Sequence, residues 1–191
     1  MIWWTDGERR AVLPADTPAP DWVGAIGRRY EPRPRLVVVG GDPTALAIAM
    51  LATTLDFETH LVRPKGPEAR PPLGAVHYHR GAPEEALDAV PMDAWTHVAV
   101  ATHDMEIDEA ALVTTLASDA AYVGVLGARR RIPERHARLL ARGVAPEALA
   151  RLHAPIGLDL GGKAPWEIAV SVMAEITAAR HAAAPPLLVR A

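Results

Sequence analysis

The chain has 191 residues, no cysteine, and a net charge of −3 with a pI near 6.2. This length suits one well-packed domain rather than two. The missing cysteine removes disulfides, thiolate metal sites and sulfur relays, and the acidic balance gives no electrostatic footprint for nucleic acid. Half of the residues are hydrophobic and 23% are charged, a composition typical of folded, water-exposed proteins. The opening MIWWTDGERR lacks a basic start followed by an apolar run, and no apolar stretch reaches about 18 residues. Neither a secretory leader nor a membrane span is therefore expected, and the cytoplasm is the expected compartment.

Residues 1–13 alternate like two short strands about Asp6-Gly7, a dipeptide suited to a tight hairpin turn. The Pro-rich stretches PADTPAP and YEPRPR follow. Residues 1–34 are thus expected to form an arm and linker, 35–182 the main domain and 183–191 a C-terminal tail. From Arg35 onward strands and helices alternate. RLVVVG predicts a buried strand, residues 43–55 a helix, ETHLVR a strand, AVHYH a short strand and residues 83–89 a helix. WTHVAVAT, AYVGVLG and the helices over 106–118, 128–143 and 165–181 complete the pattern. Such alternation predicts a three-layer α/β/α fold, Rossmann-like, on a mostly parallel sheet.

In that fold ligands bind beyond the carboxyl ends of the strands, which selects the loops 40–44, 63–66, 102–104 and 127–131. The first resembles a dinucleotide loop in which Gly40 makes the turn and Gly41 follows. Asp42, however, stands where backbone should approach a pyrophosphate. Asp42-Pro43 also suits an N-cap and the first helical position, so this helix is expected to carry its own anion. Arg63 occupies the place of the acid that would bind NAD ribose hydroxyls; NAD is disfavoured, and a 2′-phosphate on Arg63 would favour NADP. Thr102, His103 and Asp104 follow the fourth strand of the main domain. His103 and Asp104 are candidates for proton transfer, against a bland role in which the histidine orients the loop and Asp104 caps the next helix. No second histidine or acid lies at metal-ligand spacing on that element, and no metal site is expected.

GVLGARRRIPER joins a glycine turn to a helix opening with three arginines. Arginine so early in a helix opposes the dipole unless an anion compensates, so Gly127, Ala128, Arg129, Arg130 and Arg131 are candidate ligands of an anionic group. HAPIGLDLGG places Gly157 and Asp159 in a loop that reads as a ligand clamp or as a tight connection.

Thr-His-Asp at 102–104, Tyr-x-Gly-x-x-Gly-x-Arg-Arg at 122–130 and Pro-Ile-Gly-Leu-Asp at 155–159, in this order, resemble the Rossmann domain of the XdhC/CoxI family. These are accessory factors for maturation of xanthine dehydrogenase and related molybdenum hydroxylases. The resemblance covers residues 31–182. It implies a cytoplasmic chaperone-like protein that binds molybdenum cofactor (molybdopterin) and a molybdenum hydroxylase apoenzyme without turnover, with a homodimer as one assembly state. The alternatives are an NADP-dependent oxidoreductase and a ligand-free Rossmann scaffold for protein interaction. The chain departs from the family pattern at Asp42, Arg63, Ala128 and Ala164, and residues 1–34 read as a remnant of the family's N-terminal domain.

Overall fold

The computed structural model describes residues 1–182 and 188–190, which fall into two compact units. The first contains β1 (Ile2–Thr5), β2 (Arg10–Leu13) and β3 (Ile26–Arg29). β1 pairs antiparallel with both others. Asp6 accepts the Glu8 and Arg9 N–H groups, closing the expected hairpin turn, while Gly7 takes φ +102°. Alternation buries Ile2 and Trp4 on one face. Gly27 makes that packing feasible, because a Cβ there would lie 2.9 Å from the Trp4 ring.

The second unit, Arg33–His181, runs β4 (Arg35–Val39), α1 (Pro43–Thr54), β5 (Glu58–Val62), β6 (Val76–His79), α2 (Pro83–Asp88) and β7 (Thr96–Val100). It continues with α3 (Met105–Leu116), β8 (Tyr122–Val125), a 3₁₀ turn (Arg129–Arg131), α4 (Ile132–Ala141), α5 (Pro146–Leu149), β9 (Leu152–His153) and α6, which spans Pro165–Ala182. A last strand, β10 (Leu188–Arg190), belongs to the first unit and pairs antiparallel with β3 there.

The six-stranded sheet has the order β6-β5-β4-β7-β8-β9, and every pair is parallel. Because the crossovers place helices on both faces, the central strands are apolar on both. Leu36 and Val38 face a core containing Ile48 of α1 and Val172 and Ile176 of α6. Val37 and Val39 face the other, with Leu87, Leu112 and Leu139 from α2, α3 and α4. This is the expected Rossmann-like three-layer fold with a small antiparallel arm.

Three features differ from the sequence reading. The stretch read as linker contains β3, whose sequence IGRR carries too little apolar patterning to announce a strand. The helix expected over 128–143 divides into the 3₁₀ turn and α4, with Pro133 in the first turn of α4. α5 and the two-residue β9 were not anticipated, and neither is long enough for periodicity to register.

Candidate functional site

The strand order reverses at β4, so the crevice at the carboxyl ends of β4 and β7 is where this topology places a ligand. Gly40 follows β4 with φ +151°, and a Cβ there would lie 2.1 Å from the Ala101 carbonyl oxygen. Only glycine fits. Asp42 caps α1, its Oδ1 accepting the Ala45 N–H at 2.8 Å, with Pro43 at the helix start. Its Oδ2 lies 3.1 Å from His103 Nε2, and the imidazole is 87% exposed. Arg63 lies across Gly41: it donates to the Gly41 carbonyl at 3.2 Å, and a Cβ on Gly41 would lie 2.4 Å from Arg63 Nε. The N-terminus of α1 and the Gly41 surface are thus both occupied by the protein's own side chains.

On the next loop, Asp104 caps α3 by accepting the Glu106 and Ile107 N–H groups, and Lys65 donates to its other oxygen at 2.9 Å. Lys65 and those helix N–H groups hold the Asp104 carboxyl below its usual range. The Asp104 side chain has the capping role. Thr102 Oγ1 accepts the Asp104 N–H and donates its proton to the Asp108 carboxylate, tying the loop to α3.

Asp108 in turn lies 3.0 Å from Arg135 of α4, with the side chains 3% and 8% exposed. Burial pushes the Asp108 carboxyl up, against the pull of the Thr102 hydroxyl and the Arg135 guanidinium. Arg135 Nη2 meets Asp108, whereas its buried Nη1 has no hydrogen-bond partner among the described residues. An unpaired buried guanidinium nitrogen is costly. Arg135 lines a cleft of about 340 Å³ whose walls include Asp42, Thr102, His103, Gly127, Ala128 and Arg131. Arg131 forms no ion pair with the described residues. Neither the 3₁₀ turn nor α4 has a side-chain cap at its start; the Arg131 and Ile132 N–H groups are met by the Ala128 and Arg129 carbonyls instead.

The remaining candidates lie around this cleft rather than in it. Arg129 turns toward Asp159 at 3.2 Å, and both line a neighbouring hollow of about 350 Å³ with Gly157. Gly40, Gly41 and Arg63 line a third, of about 210 Å³. Arg130 lines none of the three. Gly157 is held from below: at φ +98° it donates its N–H to Glu175 at 2.6 Å, and a Cβ would lie 2.5 Å from Ser171 Oγ. Glu175 also accepts from the Tyr122 hydroxyl at 2.5 Å and lies 3.1 Å from His153 Nδ1, so one carboxylate pins β8, β9 and the 157 loop to α6. Burial raises the Glu175 pKa, but these three donors outweigh it and leave the carboxyl below its usual range. At the start of α6, Glu167 accepts the Lys163 and Ala164 N–H groups, compensating for the cap hydroxyl that Ala164 lacks.

The sequence reading missed Asp108, Arg135 and Glu175. Asp108 lies one helical turn past Asp104 and Arg135 one turn past Arg131, the spacing that puts side chains on one helix face. It also missed a grouping beyond these loops. Glu58, His60 and His77 place ligand atoms within 4.8 Å of one another, on a chain in which no metal site was expected.

Comparison with known proteins adds the family context. Residues 36–176 match the family described as the XdhC Rossmann domain. The chain is 35% identical over 164 residues to Uncharacterized protein YqeB of Escherichia coli (strain K12), covering 83% of this chain and 29% of that protein. It is 30% identical over 155 residues to a probable xanthine dehydrogenase component of Bacillus subtilis (strain 168), covering 80% and 45%. A crystal structure described as a xanthine dehydrogenase from Bacillus halodurans superposes with a TM-score of 0.67 at 24% identity, covering 82% of this chain and 46% of that one, and shows the shared fold. The chain spans less than half the length of each of these proteins.

Proposed function

The chain belongs to the XdhC Rossmann-domain family, and on that premise we infer that it is an accessory protein of a xanthine dehydrogenase-type molybdenum hydroxylase, holding molybdenum cofactor for a partner apoenzyme. The observation that carries the reading is the buried Arg135, which keeps one guanidinium nitrogen unpaired among the described residues and which lines a cleft with Arg131 and the Gly127–Ala128 turn. A guanidinium nitrogen in that setting wants an anionic oxygen. A pterin ending in phosphate supplies one, so the residues present fit the group. Arg131 and Arg135 would hold the phosphate, and Asp42, Thr102 and His103 on the opposite wall would offer hydrogen bonds to polar ring edges. When bound, the cofactor supplies the molybdenum chemistry of the partner enzyme. This chain's part is to bind, orient and shield it.

Two further features favour this reading over an NADP-dependent oxidoreductase. Arg63 is already spent on the Gly41 carbonyl, and the Asp42 carboxylate stands at the N-terminus of α1, where a pyrophosphate would rest. A surface for the partner is offered by Leu158, Leu160, Trp166 and Val170, all largely exposed around the loop beyond the cleft. The test is anaerobic thermal unfolding with excess molybdenum cofactor or excess NADPH. A ligand at 100 times its Kd stabilises by about 2.7 kcal/mol, which at this size raises the midpoint by roughly 5–10 °C. The reading expects that rise with the cofactor alone. A rise with NADPH alone would replace it by the oxidoreductase, and no rise with either by a ligand-free scaffold.

A further inference from the structure

On the β5–β6 side of the parallel sheet, outside the cleft, three of the chain's eight histidines meet on adjacent strands. The period of two puts Glu58 and His60 on one face of β5, and His77 and His79 on the same face of β6. The parallel register sets His60 beside His77 and Val62 beside His79. The His60 ring stacks on both neighbours, at centroid distances of 4.7 Å to His77 and 5.1 Å to His79. His60 is buried at 6% exposure, while His77 is exposed.

The polar atoms converge further. His60 Nε2 lies 3.1 Å from Glu58 Oε1, and its Nδ1 lies 2.9 Å from His79 Nε2. One ligand atom each from Glu58, His60 and His77 lies within 4.8 Å of the others. Two ligands of a tetrahedral zinc ion, each at about 2.0–2.2 Å, stand roughly 3.3–3.6 Å apart, so the Glu58–His60 pair, at 3.1 Å, needs to open by only a few tenths of an ångström to admit the ion. Arg35 binds the other Glu58 oxygen at 3.1 Å, which orients the carboxylate and leaves Oε1 turned to His60.

We propose that Glu58, His60 and His77 bind a divalent transition metal of the zinc type across β5 and β6, with His79 supporting His60 from behind. Imidazole nitrogens with one carboxylate suit zinc, nickel or copper over calcium or magnesium. With the ion on Nε2, the His60 Nδ1–H donates to His79 Nε2, the outer hydrogen bond that fixes a ligating histidine's tautomer. The exposed side of His77 leaves a fourth position to water or an incoming group. The site ties the edge strand β6, which follows a Pro- and Gly-rich stretch over 64–74, to the sheet interior.

The experiment uses the untagged full chain, stripped with chelator and titrated with Co²⁺, followed by Zn²⁺ displacement. One equivalent of Co²⁺ should produce a visible ligand-field absorption that Zn²⁺ abolishes. His77→Ala and Glu58→Gln, both on accessible side chains, should weaken uptake by more than about tenfold with unchanged circular dichroism, and His79→Ala by about 10–100-fold. His181→Ala on α6 should bind like the parent. Absence of the absorption at saturating Co²⁺, or uptake unaltered by His77→Ala and Glu58→Gln together, would overturn the site.

Discussion

After β4 and again after β8 the chain makes the same move, a glycine turn at the carboxyl edge of the sheet leading into a helix. The first turn is closed on itself: Asp42 caps α1, Pro43 begins it, and Arg63 covers Gly41. At the second, Ala128 offers no cap, Arg131 has no ion-pair partner among the described residues, and Arg135 keeps a buried nitrogen unpaired. In a fold whose first helix entrance commonly receives the phosphate, unsatisfied donors gather here at the other entrance. Local capping thus tells apart two turns that look alike in outline.

The largest effect expected from breaking this contrast is at the Asp108–Arg135 pair. Arg135→Met leaves a buried carboxylate alone and should cost about 3–5 kcal/mol in urea unfolding. The double variant Asp108→Leu/Arg135→Met should recover most of that loss, since removing both charges leaves none unpaired. Failure to recover would mean the pair contributes net stability. On the other side of the comparison, Asp42→Ala should cost about 1 kcal/mol through the lost cap. Asp42→Ser, which keeps a capping oxygen and removes the charge, should stay within a few tenths of the parent and tighten binding of anionic ligands in the shared cleft. Isothermal titration would show any such gain.

A third prediction concerns Glu175, which lies outside both turns and anchors the 157 loop. Its carboxyl is held below the ordinary value of 4.5 in the folded chain. The stabilisation is therefore complete above about pH 4.5 and lost as pH falls through the folded value. Glu175→Gln should flatten the acid side of the unfolding-midpoint profile below that pH; an unchanged acid slope would remove Glu175 as its source. The smallest effect is expected at Arg129–Asp159, where both side chains are more than three-quarters exposed. Asp159→Ala should change stability by no more than about 1 kcal/mol.

The sheet, its helices and the loops at its carboxyl edge were legible because buried parallel strands write long β-branched runs, and because Asp42-Pro43 announces a cap by local chemistry alone. The cleft was legible only in part. The motif 127–131 pointed to a turn that borders the cleft, but which arginine faces it depends on where the 3₁₀ turn gives way to α4. Arg129 goes to Asp159, and Arg135, four residues beyond Arg131, goes inward. Nothing in a helix rich in arginine shows which one is buried. The histidine grouping was hidden for another reason: Glu58-x-His60 and His77-x-His79 each show the strand period, but only the register of β5 on β6 brings them together.

The measurement that tests the central claim most directly is the anaerobic affinity for molybdenum cofactor of Arg131→Ala set beside that of Arg63→Ala. Both side chains lie at loops and neither is part of the Asp108–Arg135 pair, so the fold should survive each change. The account predicts that Arg131→Ala weakens binding by about tenfold or more, the loss of roughly one charge-assisted hydrogen bond, while Arg63→Ala binds like the parent. Weakening by Arg63→Ala with Arg131→Ala unchanged would return the ligand to the first turn and contradict it.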